Sequence, residues 1–596
     1  MGQEFFRGTS CGCSPVRPNH KPYLDRPGIE EEDGILNWVR GFQGGFGGLF
    51  AAIKAKQNGV EDVIIVDKGA VALTGQSRLA AGATIYLYPG DDIQEWTKAI
   101  FLGQKGLCKQ DMVESYLGQS FERLRELEAM GIVFRKDPRT NDYFRLPSRG
   151  LVPVQMTIGA SFKNMIGGTA LTSVLFNKVS SLGVHFYNKI FISDLIVKGN
   201  QVQGAVGCHR RTGEFFIFKS RAVVMAACDC SFRGNYCCVE STTGDAFAMA
   251  YRAGADLENM EMMVTNTAPL HFNFEGTGPT GQAGAKFLNA RDENFMPQYH
   301  PAGSSAEINH IVQAMAWEHK KGNGPPFYFD FRPIPENMEE AFISFFGGWM
   351  PRNLVRLKEK GLRVFRSKVD WAPALQTLRG GIKTDIHCMT SVEGLFAGGT
   401  AQSMGPGLFN GWSSGKSIWS GATAGRSAAE YLRNRESPPL DSDHILDLKS
   451  DLFNREIPSE KGDISMYEMT RKLQRCMFAY DVSILKNESS LKRAVKEVAV
   501  IKEIDLTRTL LRDFHDFISF KETENMILVT DLFLKSSFLR KESRSDHMRE
   551  DFPKAEKNWL KWIVFNKNLK EGSRFENLPW DQYRFKPEDL DRGAPK

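Results

Sequence analysis

Gly44-Gly45-Phe46-Gly47-Gly48-Leu49-Phe50-Ala51-Ala52, followed by Val63-Ile64-Ile65-Val66-Asp67-Lys68-Gly69, is the stretch that decides the fold. It predicts a glycine turn, a helix of small residues, then a buried strand ending in an acid. That order suits a dinucleotide. The glycines let the backbone approach a pyrophosphate, the helix N-terminus offers unpaired N–H groups, and the acid accepts ribose hydroxyls. Asp67 follows Gly48 at close to the spacing of roughly 20 residues that such units favour. Aligned on Gly45 and Gly48, the first glycine of a G-x-G-x-x-G pattern is replaced by Gln43. The preceding strand, Ile35 to Phe42, is interrupted by Asn37, Arg40 and Gly41, where a buried parallel strand is nearly all apolar.

Upstream, residues 1–33 are rich in Pro, Gly and charge and read as an irregular leader. Downstream, apolar residues recur at helical spacing from Met112 to Met130, and Gly199-Asn200 marks a hairpin between apolar runs. Arg221 to Ala227 reads as another buried strand, and Thr243-Gly244-Asp245 opens a helix with its acid near the positive end. Residues 265–375 are irregular and read as an insertion. A βα pattern returns at Gly380-Gly381-Ile382, passes Gly394-Leu395-Phe396-Ala397-Gly398-Gly399-Thr400 and ends in a helix near Tyr431. Glu436-Ser437-Pro438-Pro439 is a linker, after which the pattern is mostly helical to about Phe538.

The chain of 596 residues is 42% hydrophobic and 25% charged, ordinary globular values, and its net charge of +5 gives a nucleic-acid role no support. Its ten cysteines form no disulfide framework and no repeated C-x-x-C site for zinc or iron–sulfur; Cys11-Gly12-Cys13 reads as free thiols. No apolar run approaches a membrane span, residues 1–33 lack a signal-peptide core, and Met1 to Phe6 lacks the hydroxyl of a myristoylation signal. The expectation is a soluble cytoplasmic protein with no metal, no nucleic acid and no membrane span.

Taken together, residues 34–555 resemble the flavoprotein subunits of the succinate dehydrogenase and fumarate reductase superfamily, including the adenylylsulfate reductase branch. The resemblance is carried by the unit ending at Asp67-Lys68-Gly69, by Ser77-x-x-Ala80-Ala81-Gly82, and by Thr243-Gly244-Asp245 with Ala253-Gly254-Ala255. It continues in Gly380-Gly381-Ile382, in Leu473-Gln474-x-x-Met477, and in the run from Arg540 to Pro553 with its Asp546-His547-x-Arg549-x-Asp551 core. It implies an α/β fold: a two-part Rossmann-like FAD-binding domain (34–264 and 376–435), an inserted α+β capping domain (265–375), a helical C-terminal domain (441–545) and a tail (546–596). It also implies cofactor contacts at Gly44, Gly45, Gly47, Gly48, Asp67, Lys68, Ser77, Ala81, Gly82, Ala227, Asp245, Gly399, Thr400, Ser413, Ser414 and Ser417. No histidine occurs in Thr74-Gly75-Gln76-Ser77, where some members attach FAD covalently, so non-covalent FAD is expected.

The catalytic positions depart from the best-known members. The resemblance implies two histidines and two arginines that hold a dicarboxylate. Here the histidines fall on Asn266 and Gln376, one arginine falls on Trp412, and Ser305 to Gln313 contains no arginine. Succinate and fumarate are therefore not expected as substrates. Arg379, before the glycine pair, is the best-placed cation, and Arg379, Gln376, Asn266 and Trp412 form the expected catalytic set. The expected function is transfer of hydride or electrons between FAD and a small polar substrate, with an electron-transfer subunit as a possible partner. The replaced positions also suit a flavin-fold protein that has lost catalysis and serves in binding or assembly.

Overall fold

The structure is a computed structural model. It describes residues 38–592 except 43, 238, 273, 350, 362–365, 408, 434, 436–439 and 456–461, so the leader and Gln43 lie outside the described residues. The expected glycine unit forms as β1 (Trp38–Phe42), α1 (Phe46–Gln57) and β2 (Asp62–Asp67). The amphipathic helix is α2 (Gln110–Ala129), with Val113, Tyr116, Leu117, Leu124 and Leu127 on its buried face. β3 (His185–Asn188) and β4 (Ala222–Met225) follow, then α3 (Asp245–Ala253), and far downstream β5 (Leu395–Ala397) and α4 (Trp412–Leu432). The five strands form one parallel sheet in the order β5-β4-β1-β2-β3. Despite its interrupted sequence, β1 lies at the centre, its backbone paired on both sides.

α1 and α4 pack backbone against backbone. A Cβ on Gly421 would stand 2.2 Å from the Gly47 carbonyl oxygen, and one on Gly425 would stand 2.1 Å from that of Ala51. Glycine is required at both positions because only hydrogen fits there. The expected hairpin forms between Ile190–Lys198 and Gln201–His209, with Gly199 at φ +61°.

The inserted segment builds a separate antiparallel sheet, in the order Met263–Pro269, Lys368–Leu378, Phe327–Asp330, Lys286–Leu288. Its first and last strands in sequence are neighbours, which puts Asn266 opposite Ala374 and brings Gln376 alongside. The C-terminal region contributes Met466–Met477, Glu488–Val500 and the long helix α5 (Phe514–Leu539). The tail docks: Lys561–Phe565 pairs with Leu257–Glu258 and with Ser573–Asn577.

Two buried charge clusters tie the C-terminal region to the rest. Lys68 donates to Asp245 and to Glu522 of α5, each at 2.7 Å. Arg540, fully buried, pairs with Glu261 at 2.5 Å and Glu542 at 3.0 Å and donates to the carbonyls of Trp559 and Lys561. Asp546 accepts the Gly407 N–H at 2.7 Å, reaching the loop before α4. The specific Arg540–Asp551 motif thus performs bracing, with hydrogen bonds satisfying its buried charges.

Candidate functional site

A cleft opens between the parallel sheet's ligand end and the inserted sheet. Ligands of open α/β sheets sit at the carboxyl ends of the strands. From the first half the cleft is lined by Phe46, Ser77, Ala81, Gly82 and Asp229; from the return by Thr400, Ser413, Ser414 and Ser417; and from the insertion by Asn266, Glu275, Thr277 and Gln376. Segments remote in sequence therefore meet in one cavity.

The glycine turn is fastened by Asp67. Its Oδ2 accepts the Gly44 N–H at 2.8 Å and its Oδ1 the Gly69 N–H at 2.6 Å, while burial raises its pKa. A Cβ on Gly45 would reach 2.9 Å from the Ser77 Oγ, and one on Gly47 would reach 3.0 Å from the Gly399 nitrogen. Gly48 is buried in the first turn of α1. Glycine stands at the N-cap of both α1 and α4, so neither is capped by its own N-cap side chain; the Phe46 N–H that opens α1 donates to Ser77 Oγ at 3.1 Å, and Phe46 and Gly411 at these ends line the cleft. Two glycine-capped N-termini with closely approachable backbone fit a diphosphate and an anionic ring system. Gly399, at φ +65°, donates to Ser420 Oγ at 2.9 Å, leaving the Thr400 side chain on the cavity wall.

Several of the expected site residues sit away from the cleft wall. Lys68 does not line the cleft: it is 8% exposed, and its ammonium is held by Thr243, Asp245 and Glu522. Asp245 is likewise occupied, by Lys68, Thr243 and Asn525. Trp412 does not line the cleft; it is 1% exposed and packs edge-on against Tyr116 and Phe409. Arg379 does not line the cleft either. It stands behind it, with Nη1 donating to Ser413 Oγ at 2.9 Å. Gly44, Gly45, Gly47, Gly48, Asp67, Ala227 and Gly399 also lie outside the residues that line the cleft.

Asn266 and Gln376 do meet: Asn266 Nδ2 donates to Gln376 Oε1 at 3.0 Å. Beside them lie residues the sequence reading missed. Burial pushes the Glu275 carboxyl up to about 7, countered only by the Cys237 thiol at 3.8 Å. Asp229 is pushed up to about 6 by burial, opposed by its bond from Thr377 Oγ1 and by the charges of Arg379 and Lys416. Burial and the Arg379 charge lower Lys416 to about 7. Asp229 lies in the loop just beyond β4, at the ligand end of a parallel strand, a signal that could have found it. Glu275, an acid before Gly276-Thr277-Gly278, gave a weaker one.

Residues 44–418 match the family model described as FAD binding domain, and residues 470–590 match the one described as fumarate reductase flavoprotein C-term. The chain belongs to the FAD-dependent flavoprotein family that includes fumarate reductase and succinate dehydrogenase. It is an FAD-dependent oxidoreductase. It is 27% identical over 547 residues to an uncharacterised FAD-dependent oxidoreductase of Methanocaldococcus jannaschii, covering 87% of this chain and 94% of that one. It is 24% identical over 560 residues to a subunit of the CoM/CoB fumarate reductase of Methanothermobacter marburgensis, covering 88% and 96%. In fold it is similar to the quinol fumarate reductase of E. coli (TM-score 0.81, 19% identity, 93% and 98% covered). It is also similar to adenylylsulfate reductase from Archaeoglobus fulgidus (TM-score 0.73, 20% identity, 92% and 96% covered). Among the described residues, no helix is long and apolar enough to cross a membrane.

Proposed function

We propose that the cleft is where FAD and a small polar substrate other than succinate or fumarate meet. The observation that carries this reading is the convergence of Ser77, Thr400 and Ser413–Ser417 with the hydrogen-bonded Asn266–Gln376 pair in one cavity. FAD, when bound, accepts or supplies the hydride. The protein's part is to hold and orient. Gly45, Gly47 and Gly48 admit the diphosphate, Asp67 keeps the turn in shape and faces the ribose, and Gly82, Gly399 and Thr400 border the ribityl and ring portions. Ser413, Ser414 and Ser417 present the start of α4 to the ring, where a helix N-terminus stabilises negative charge. Arg379 acts at one remove, by orienting Ser413. Asn266 and Gln376 hydrogen-bond a neutral polar group of the substrate, and Glu275 holds a proton at its carboxyl for delivery to it. The domain limits fit this division: residues 265–375 cap a site built by 34–264 and 376–435. An electron-transfer subunit is a suitable partner.

The test is turnover. With Asn266 and Gln376 in place of cations, purified protein is expected to leave fumarate unreduced and succinate unoxidised, followed by bound-flavin absorbance under anaerobic conditions. Rapid reoxidation of the reduced flavin by fumarate would refute the assignment. FAD is also expected to be non-covalent, since the segment from Thr74 to Ser77 offers no histidine. Acid precipitation should release all flavin to the supernatant; yellow colour retained in the pellet would count against it.

A further inference from the structure

Arg149 is a cation in the wall of the cleft with no counter-ion among the described residues. It lies in the turn Ser148–Gly150, which Ser148 anchors to the loop before α4 by donating from its Oγ to the Asn410 carbonyl at 2.8 Å. Its guanidinium makes one hydrogen bond, from Nη2 to the Ala306 carbonyl, while Nε is buried with no partner. No carboxylate of the described residues forms an ion pair with it, and Glu307 acts on it only at longer range. Burial lowers its pKa to about 10. The guanidinium remains charged at neutral pH, opposed within the wall by the longer-range charge of Glu307 and by no carboxylate in ion-pair contact among the described residues. The opposite face of the turn explains how it gets there. A Cβ on Gly278 would stand 3.1 Å from Arg149 Nη1, so glycine at 278 leaves the room that the guanidinium uses.

The rest of the cleft is different in charge. Asn266 and Gln376 are neutral, and Glu275 is held toward its protonated form by burial. Arg379 and Lys416 stand behind the wall, where each interacts with the charge of Asp229. A buried, unpaired guanidinium with free donors favours an anion, and its planar fork suits a carboxylate. A second carboxylate would meet no second cation among the described residues that line the cavity.

We propose that Arg149 is the specificity-determining residue of the cleft, binding the single carboxylate of a monoanionic substrate whose other end is neutral. This rests on the reading that flavin and substrate share the cleft, and the experiment separates the two. FAD-loaded protein is titrated with crotonate, a monocarboxylate, and with fumarate, its dicarboxylate counterpart, following perturbation of the flavin absorbance. Crotonate is expected to perturb the spectrum, and Arg149→Gln to weaken its binding about 10- to 150-fold, the loss of a charge-assisted hydrogen bond or pair. Arg149→Lys, keeping the charge without the fork, should fall between. Fumarate should bind no more tightly than crotonate. A crotonate Kd within about threefold of wild type in flavin-retaining Arg149→Gln overturns the proposal, as does fumarate binding more than about tenfold tighter than crotonate. If Arg149→Gln loses flavin, Arg149→Lys decides; loss of flavin there too makes the residue structural and also overturns the proposal. If neither probe perturbs the wild-type flavin, the shared cleft itself is wrong and both readings fall.

Discussion

Glu275→Gln is expected to slow turnover of the accepted substrate roughly 100- to 10,000-fold, the usual contribution of a positioned proton donor, while FAD stays bound. The amide preserves size and can still accept from Cys237, so the fold should persist; only the transferable proton is lost. With a carboxyl pushed up to about 7, the wild-type acid is protonated below that pH and ionised above it. Reduction of a substrate should therefore fall as pH rises through about 7, whereas oxidation, which needs the carboxylate as acceptor, should rise over the same interval. Infrared difference spectra across that interval should contain a carboxyl stretch that is missing from the Glu275→Gln protein. Wild-type turnover by the variant, with an unchanged pH profile, would assign the proton elsewhere.

Lys68→Ala carries the second large effect, on stability. Lys68 is the shared cation of Asp245 and Glu522, and removing one member of a buried ion pair typically costs about 3–5 kcal/mol. The lower end applies here, because Glu522 keeps Arg233 and Asp245 keeps Thr243 and Asn525. Burial opposes ionisation of Glu522, and Lys68 with Arg233 holds its pKa down to about 2; the substitution leaves Arg233 as the cation in direct contact to offset the burial of that carboxyl. Urea and thermal midpoints should both drop. Adding Asp245→Asn and Glu522→Gln to Lys68→Met should recover much of the loss by removing the orphaned charges. A midpoint unchanged by Lys68→Ala alone would show that the cluster contributes nothing net.

The contrast between Asp67 and Lys68 shows what could be read from sequence. Asp67 was legible because glycine spacing and a run of apolar residues are local patterns. Lys68 is adjacent, but successive residues at a strand's end point to opposite sides, so the lysine turns toward α5 rather than toward the glycine turn. Trp412 opens α4, and nothing nearby in sequence says that Tyr116 and Phe409 enclose it. Asn266 and Gln376 were named together through the resemblance, and their side chains are hydrogen-bonded across neighbouring strands. Arg149 was invisible for another reason. Its position depends on an anchor at Asn410 and on space left at Gly278, both distant in sequence. The two-part sheet was readable from its glycine-rich beginning and return, whereas the charge balance of the cavity emerges only in three dimensions.

The order of strands in the parallel sheet has a consequence for how the protein is born. β1 is complete once Phe42 has been synthesised, but β5 begins at Leu395 and α4 ends at Leu432. At roughly 5–20 residues per second, a ribosome takes roughly 20 to 80 seconds to cover that interval. Once Met225 has been added, β4 presents an open edge until β5 is made, and from its own completion the glycine face of α1 lacks the helix that covers it. A nascent chain stalled before residue 395 therefore exposes pairing-competent backbone and apolar surface, the features that drive aggregation and recruit chaperones. Cofactor loading must wait for the same moment, because the return strand and its helix supply one wall of the cleft. Maturation of this flavoprotein is thus bound to the last third of its translation.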